Sequence, residues 1–151
     1  MPESLSNVLV HIIFSTKERR PFLRDPAQRV EMHRYLAGIS GRLHCTAILI
    51  GGAEDHVHLF ACQSRTISLA DWVKELRRAS SLWAKEQGES FRWFQWQRGY
   101  GAFSVSQSQR SQMERYIARQ EEHHKRVSFQ DEFRLFLEKN GISYDERYVW
   151  D

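Results

Sequence analysis

The chain has 151 residues, 41% of them hydrophobic and 27% charged, with seven histidines, two cysteines and a formal net charge of +3. That length fits one compact domain, residues 1–151, whose core stands without disulfides or a structural metal, and the mild positive charge permits a nucleic-acid partner without demanding one. No apolar run reaches the roughly 20 residues of a membrane span, and Met1-Pro2-Glu3-Ser4 lacks the basic start and apolar stretch of a secretory signal, so a cytoplasmic protein without membrane contact is expected.

The first predicted strand, Asn7 to Ser15, is rich in β-branched residues with apolar side chains on both faces, as in a central strand; His11 is its one ionisable residue. Lys17 to Arg24 is a basic loop that holds Lys17, Arg19, Arg20 and Arg24. A helix is predicted from Pro26 to about Leu43, with Val30, His33, Tyr35, Leu36 and Ile39 near helical spacing. Cys45 to Ile50 reads as a second strand and Gly51-Gly52 as the turn into a third, which carries His56-Val57-His58. Side chains alternate along a strand, so both imidazoles project to one face while Val57, Leu59 and Ala61 take the other. Imidazole is the commonest protein metal ligand, and the pair reads either as a metal site or as two surface histidines on a half-buried strand. His11 joins them if the register of the first strand allows. Cys45 and Cys62, with no CxxC spacing, read as buried thiols.

Ser68 and Asp71 form a capping signature for a helix running to about Glu86, whose apolar stripe is Leu69, Trp72, Val73, Leu76, Leu82 and Trp83. Lys74, Arg78, Ser81 and Lys85 lie opposite, which is either a phosphate-binding stripe or a solvated face. Phe91 to Arg98 interleaves aromatics with arginines, including Arg98; such a segment can stack unpaired bases, although at least two of its rings are expected in the core. A fourth strand lies within Gly99 to Ser106. A third long helix is predicted from Gln109 to Lys125. On it Tyr116 and Gln120 share a face that His123 and His124 continue, and the bland alternative is a core tyrosine with polar neighbours. The last helix starts at Ser128, places Phe129, Phe133, Phe136 and Leu137 on one side, and stops at Asn140-Gly141. Tyr144 to Asp151 is acidic and aromatic, a segment for dimer or intramolecular packing rather than DNA contact.

The order is thus β-α-β-β-α-β followed by two helices. It predicts an α+β fold, a ferredoxin-like or RRM-like antiparallel sheet with the first and third strands central, and additional C-terminal helices that carry Tyr116. Two helices cover one face, and His56 and His58 are expected on the other, open one.

Asp55-His56-Val57-His58-Leu59, then Lys74-x-x-x-Arg78-x-Ser80-Ser81-x-Trp83, Gly99-Tyr100-Gly101-Ala102-Phe103-Ser104-Val105-Ser106, Tyr116-x-x-x-Gln120 and the ending Tyr144 to Trp150 together resemble the single-tyrosine HUH transposases of small insertion sequences, REP-associated members included. The resemblance implies that His56, His58 and Gln120 bind a divalent ion, magnesium or manganese, and that Tyr116 is the nucleophile. It implies attack on single-stranded DNA at hairpin-bearing element ends, a 5′-phosphotyrosine intermediate, rejoining to another end, and a homodimer able to exchange the tyrosine helix. Lys17, Arg19, Arg20, Lys74, Arg78, Lys85 and Arg98 are the DNA-binding candidates. Two rivals stand beside it. A non-catalytic single-stranded DNA or RNA-binding module, such as a domesticated transposase, shares the fold; a His-x-His-x-His nucleotide hydrolase would need a histidine where Phe60 stands.

Overall fold

Four strands, β1 (Leu9–Ser15), β2 (Ala47–Gly52), β3 (His56–Cys62) and β4 (Gly101–Val105), form one antiparallel sheet in the order β2-β3-β1-β4. Helix α1 (Pro26–Arg42) joins β1 to β2 and α2 (Leu69–Lys85) joins β3 to β4, so the ferredoxin-like arrangement forms with β1 and β3 at its centre. The computed structural model describes residues 3–151, and Met1 and Pro2 of the start read against a secretory signal lie outside the described residues.

Local chemistry fixes the helix starts. Asp25 Oδ1 accepts from Ala27 N at 2.8 Å with Pro26 in the first turn, and Ser68 Oγ accepts from Asp71 N at 3.0 Å. Val10, Ile12 and Phe14 of β1 and Val57, Leu59 and Ala61 of β3 pack with Leu36 of α1 and Trp72 of α2 in the main core. Two indoles enter that core with their N–H groups satisfied: Trp72 Nε1 donates to Ser40 Oγ at 3.0 Å and Trp96 Nε1 to Ser80 Oγ at 2.8 Å. Phe91, Phe94 and Trp96 are buried, whereas Trp93 is exposed.

The second sheet face is covered, not open. Helices α3 (Arg110–Ala118), α4 (Gln120–His123) and α5 (Phe129–Lys139) lie after β4. Ile117 of α3 packs with Leu9 and Phe60, while Phe129, Phe133 and Leu137 of α5 pack with Ile13 and Phe103. The apolar side chains on both faces of β1 demand this second layer, because an open face would leave Leu9 and Ile13 in water. His11, His56 and His58 are consequently fully buried.

Three further expectations are corrected. Gly51-Gly52 belongs to β2, and the turn is Ala53-Glu54-Asp55. A Cβ on Gly51 would stand 2.5 Å from the Ile117 carbonyl oxygen, so the glycine is there to let α3 approach the strand. The predicted Gln109 to Lys125 helix breaks at Arg119, leaving Tyr116 near the end of α3 and Gln120 at the start of α4. Cys45 is buried as expected, but Cys62 is only half-buried, at the end of β3. Gly51→Ala is expected to destabilise the fold by about 1–3 kcal/mol through overpacking, read as a lower urea midpoint at unchanged m-value.

His33, on the inner side of α1, has its pKa lowered to about 4 by burial and, secondarily, by the Arg29 charge. An unfolded histidine titrates near 6.5, so the folded protein resists a proton that the unfolded chain accepts. This contribution to stability is whole above pH 6.5 and is lost as the pH falls towards 4, amounting to about 3 kcal/mol. His33→Gln should therefore show a smaller drop in melting temperature between pH 7.5 and pH 4.5 than the parent protein.

Candidate active site

Strand β3 delivers His56 and His58 to the covered face, and the register sets His11 of β1 on the same side. His11 Nε2 lies 2.7 Å from His58 Nδ1, the proximity left open by the sequence. From the helical layer come Tyr116, Gln120, His123, His124 and a residue the sequence reading passed over, Glu132 of α5. Glu132 is 98% buried and gathers the others about its two oxygens. Its Oε1 is 2.8 Å from His58 Nε2, 3.1 Å from His124 Nε2 and 3.7 Å from His56 Nε2. Its Oε2 accepts from the Tyr116 hydroxyl and from Gln120 Nε2 at 3.1 Å, with His123 Nε2 at 3.2 Å.

The proton positions follow from these partners. Burial lowers the His58 pKa to about 4, against the pull of Glu132, so the ring is neutral at pH 7. Its Nε2–H donates to the carboxylate, and its Nδ1 accepts from His11 Nε2–H; His11 Nδ1 is then a bare acceptor, and it is a buried nitrogen without a partner. Burial alone would raise the Glu132 pKa, but His58, His124 and His56 outweigh it and keep the group ionised. Burial first, and then the adjacent Glu132 charge, push the Tyr116 phenol above its ordinary value. The resting tyrosine is thus a neutral phenol that donates to a carboxylate.

His56, His58, His124 and Glu132 present donor atoms that all lie within 4.8 Å of one another. Two details show that these residues fit a cation. His124 Nε2 is a buried nitrogen that makes no hydrogen bond although it lies 3.1 Å from Glu132 Oε1. Asp55 Oδ1 accepts from His56 Nδ1 at 2.7 Å, which turns the ring's Nε2 towards Gln120 Oε1 at 3.1 Å. An imidazole nitrogen and an amide oxygen set side by side are both atoms that ligate divalent cations. Gln120 is therefore beside the histidines through its amide oxygen, while His124 and Glu132 are additional donors.

The basic candidates divide into groups. Lys17, Lys74, Arg78, Lys85 and Arg98 line one groove of ≈ 810 Å³, between the polar side of α2 and the segment that leads into β4. Arg78 is held there by Glu75 at 2.6 Å. Arg19 lies over the Trp150 ring at the groove's margin, 5.9 Å from its centroid. Arg20 is outside, paired with Glu18 at 3.1 Å and lining a different depression with Trp93. The C-terminal segment packs within its own chain: Arg134 pairs with Glu146 at 2.6 Å and Trp150 lies against Phe133, centroids 6.0 Å apart. Trp150 and Asp151 also form part of the wall of the groove that the basic residues line. Among the described residues no helix is long and apolar enough to cross a membrane.

Solved structures of similar fold include a candidate transposase from Deinococcus radiodurans, 22% identical over 80% of this chain and 96% of that one, with a TM-score of 0.61. Another is a REP-associated tyrosine transposase bound to a REP hairpin, 12% identical, covering 84% of this chain and 76% of the other, with a TM-score of 0.60. No curated protein matches the chain. The profile described as "Transposase IS200 like" matches residues 4–120, a span that contains β1 to β4, both helices between them, Tyr116 and Gln120. This chain belongs to the IS200-like transposase family.

Proposed function

We propose that this transposase cleaves and rejoins single-stranded DNA beside a hairpin, with Tyr116 as the nucleophile and a divalent ion held by His56, His58 and Gln120 together with His124 or Glu132. The observation that carries this reading is the convergence of a tyrosine hydroxyl, an amide and the histidine pair on one buried carboxylate within a single chain. When bound, the ion would supply positive charge that polarises the scissile phosphate and offsets charge in the transition state. Imidazoles and a carboxylate together suit manganese better than magnesium.

The chain's own groups set up the displacement. Glu132 Oε2 already accepts the Tyr116 proton as a hydrogen bond, so a proton acceptor stands beside the attacking oxygen. Asp55 fixes the His56 ring through Nδ1 and leaves Nε2 free to ligate. For His58 to ligate through Nε2 its proton must sit on Nδ1, pointing to His11 Nε2, and His11 then carries its own proton on the unpartnered Nδ1. Attack of the phenol oxygen on phosphorus breaks the bond to the 3′ oxygen, which leaves as a 3′-hydroxyl after protonation. The phosphotyrosine conserves the energy of the broken bond, so rejoining needs no nucleoside triphosphate.

The ≈ 810 Å³ basic groove is assigned to the hairpin, whose phosphates would meet Lys17, Lys74, Lys85 and Arg98. The REP hairpin in the similar solved complex supports that partner class. The covered sheet face speaks against base stacking on the sheet, as in RNA-recognition domains. Tyr116 lies beside the histidines of its own chain, so a homodimer that exchanged the tyrosine helix would have to part the chain between β4 and α3, over residues 106–109. Incubation with hairpin-bearing single strands and Mn2+ should give an adduct that survives denaturing electrophoresis. No adduct with any of several divalent ions and native flanking DNA would count decisively against the proposal.

A further inference from the structure

Beyond the hairpin groove, a second basic groove of ≈ 550 Å³ borders the nucleophile itself: Gln112, Arg115, Tyr116, Arg119, Glu122, His123, Arg126 and Val127 line it. We infer that this groove holds the sugar-phosphate backbone of the unpaired strand next to the scissile phosphate, with Arg115, Arg119 and Arg126 as the phosphate contacts. The inference rests on the proposed role of Tyr116, since it names the path by which substrate reaches that hydroxyl.

The arrangement follows from helix periodicity. Gln112, Arg115 and Tyr116 are spaced i, i+3 and i+4 on α3 and Arg119 follows as its C-cap residue, so one guanidinium precedes the tyrosine and one follows it along the groove. Past the break at Arg119 the chain turns after α4 and brings Arg126 to the lining of the same groove. The nearby acids do not neutralise these arginines. Glu114 pairs with Arg110 at 3.8 Å, Glu121 with Arg29 at 2.6 Å and Glu122 with Lys125 at 3.0 Å. Among the described residues Arg115, Arg119 and Arg126 form no ion pair, and all three are exposed. Three unpaired guanidiniums beside a half-buried tyrosine repel one another and are relieved by an anionic chain that threads between them. Val127 and the His123 ring add apolar and stacking surface suited to sugars and bases, and the aromatic-poor lining favours backbone over sequence readout.

A hairpin-free oligonucleotide such as a labelled dT12, titrated by fluorescence anisotropy at several salt concentrations, separates this groove from the other. The triple variant Arg115→Gln, Arg119→Gln, Arg126→Gln should bind dT12 at least tenfold more weakly, and its log K against log salt slope should flatten by about 2, given about 0.7 per phosphate contact on single strands. Its affinity for a hairpin with no single-stranded flank should change less than twofold. A charge-matched control, Arg34→Gln, Arg65→Gln, Arg147→Gln, should keep the parent dT12 affinity within twofold, and thermal melts confirm that both variants are folded. Single substitutions, each read the same way, serve if the triple variant melts early. Unchanged dT12 affinity and slope in the folded arginine variants overturns the inference, as does an equal loss in the charge-matched control. Adduct formation by the parent protein is scored separately, so the groove can fail while the tyrosine chemistry stands.

Discussion

Tyr116→Phe is expected to abolish the covalent protein–DNA adduct, by at least about 10³-fold, because phenylalanine has no oxygen to bond phosphorus. Affinity for a hairpin-bearing strand should stay within about twofold, since the ring and its packing against Phe136 and His58 are retained. The loss of the hydroxyl removes one donor from Glu132 Oε2 while Gln120 Nε2 still supplies another, so the stability cost is about 1 kcal/mol. Binding and chemistry are thereby separated in a single variant. A non-catalytic DNA-binding relative would give no adduct with or without the hydroxyl, and an adduct that persisted in Tyr116→Phe would move the nucleophile elsewhere.

The parts of this site that were legible in sequence are those governed by short-range geometry. Strand alternation put His56 and His58 on one side, and helical spacing put Tyr116 near Gln120, even though the helix breaks between them. That break has no glycine or proline to announce it. The closed second face was foreshadowed by the apolar residues on both sides of β1, which an open sheet could not accommodate. Glu132 was missed because the last helix was read as one apolar stripe. Yet Phe129, Glu132, Phe133 and Phe136 share a face, and an acid inside an apolar stripe is the signal that should have marked a buried carboxylate in need of partners. That Arg126 joins Arg115 and Arg119 in the groove beside Tyr116 depends on the turn after α4, a tertiary fact that no spacing rule supplies.

Glu132 also yields the second large effect. In Glu132→Gln the amide is nearly isosteric but uncharged, so His58 Nε2–H loses an ionised acceptor and the Tyr116 hydroxyl faces a weaker one. Removing a ligand or its immediate support typically lowers metal affinity 10- to 100-fold, and Mn2+ titration calorimetry should show a loss of at least about tenfold. Adduct formation should fall by on the order of 10²-fold even at saturating Mn2+, because the proton acceptor beside the phenol has gone. Metal-free stability should drop by about 1–3 kcal/mol, the usual consequence of leaving buried hydrogen-bond groups poorly matched. The sign of the activity change discriminates two roles for the carboxylate. A donor that ligates and receives the tyrosine proton must make the variant slower, whereas a plug that merely occupies the phosphate position and restrains Tyr116 must make it faster. Unchanged Mn2+ affinity with a faster adduct would assign Glu132 to restraint and leave the ion to His56, His58, Gln120 and His124.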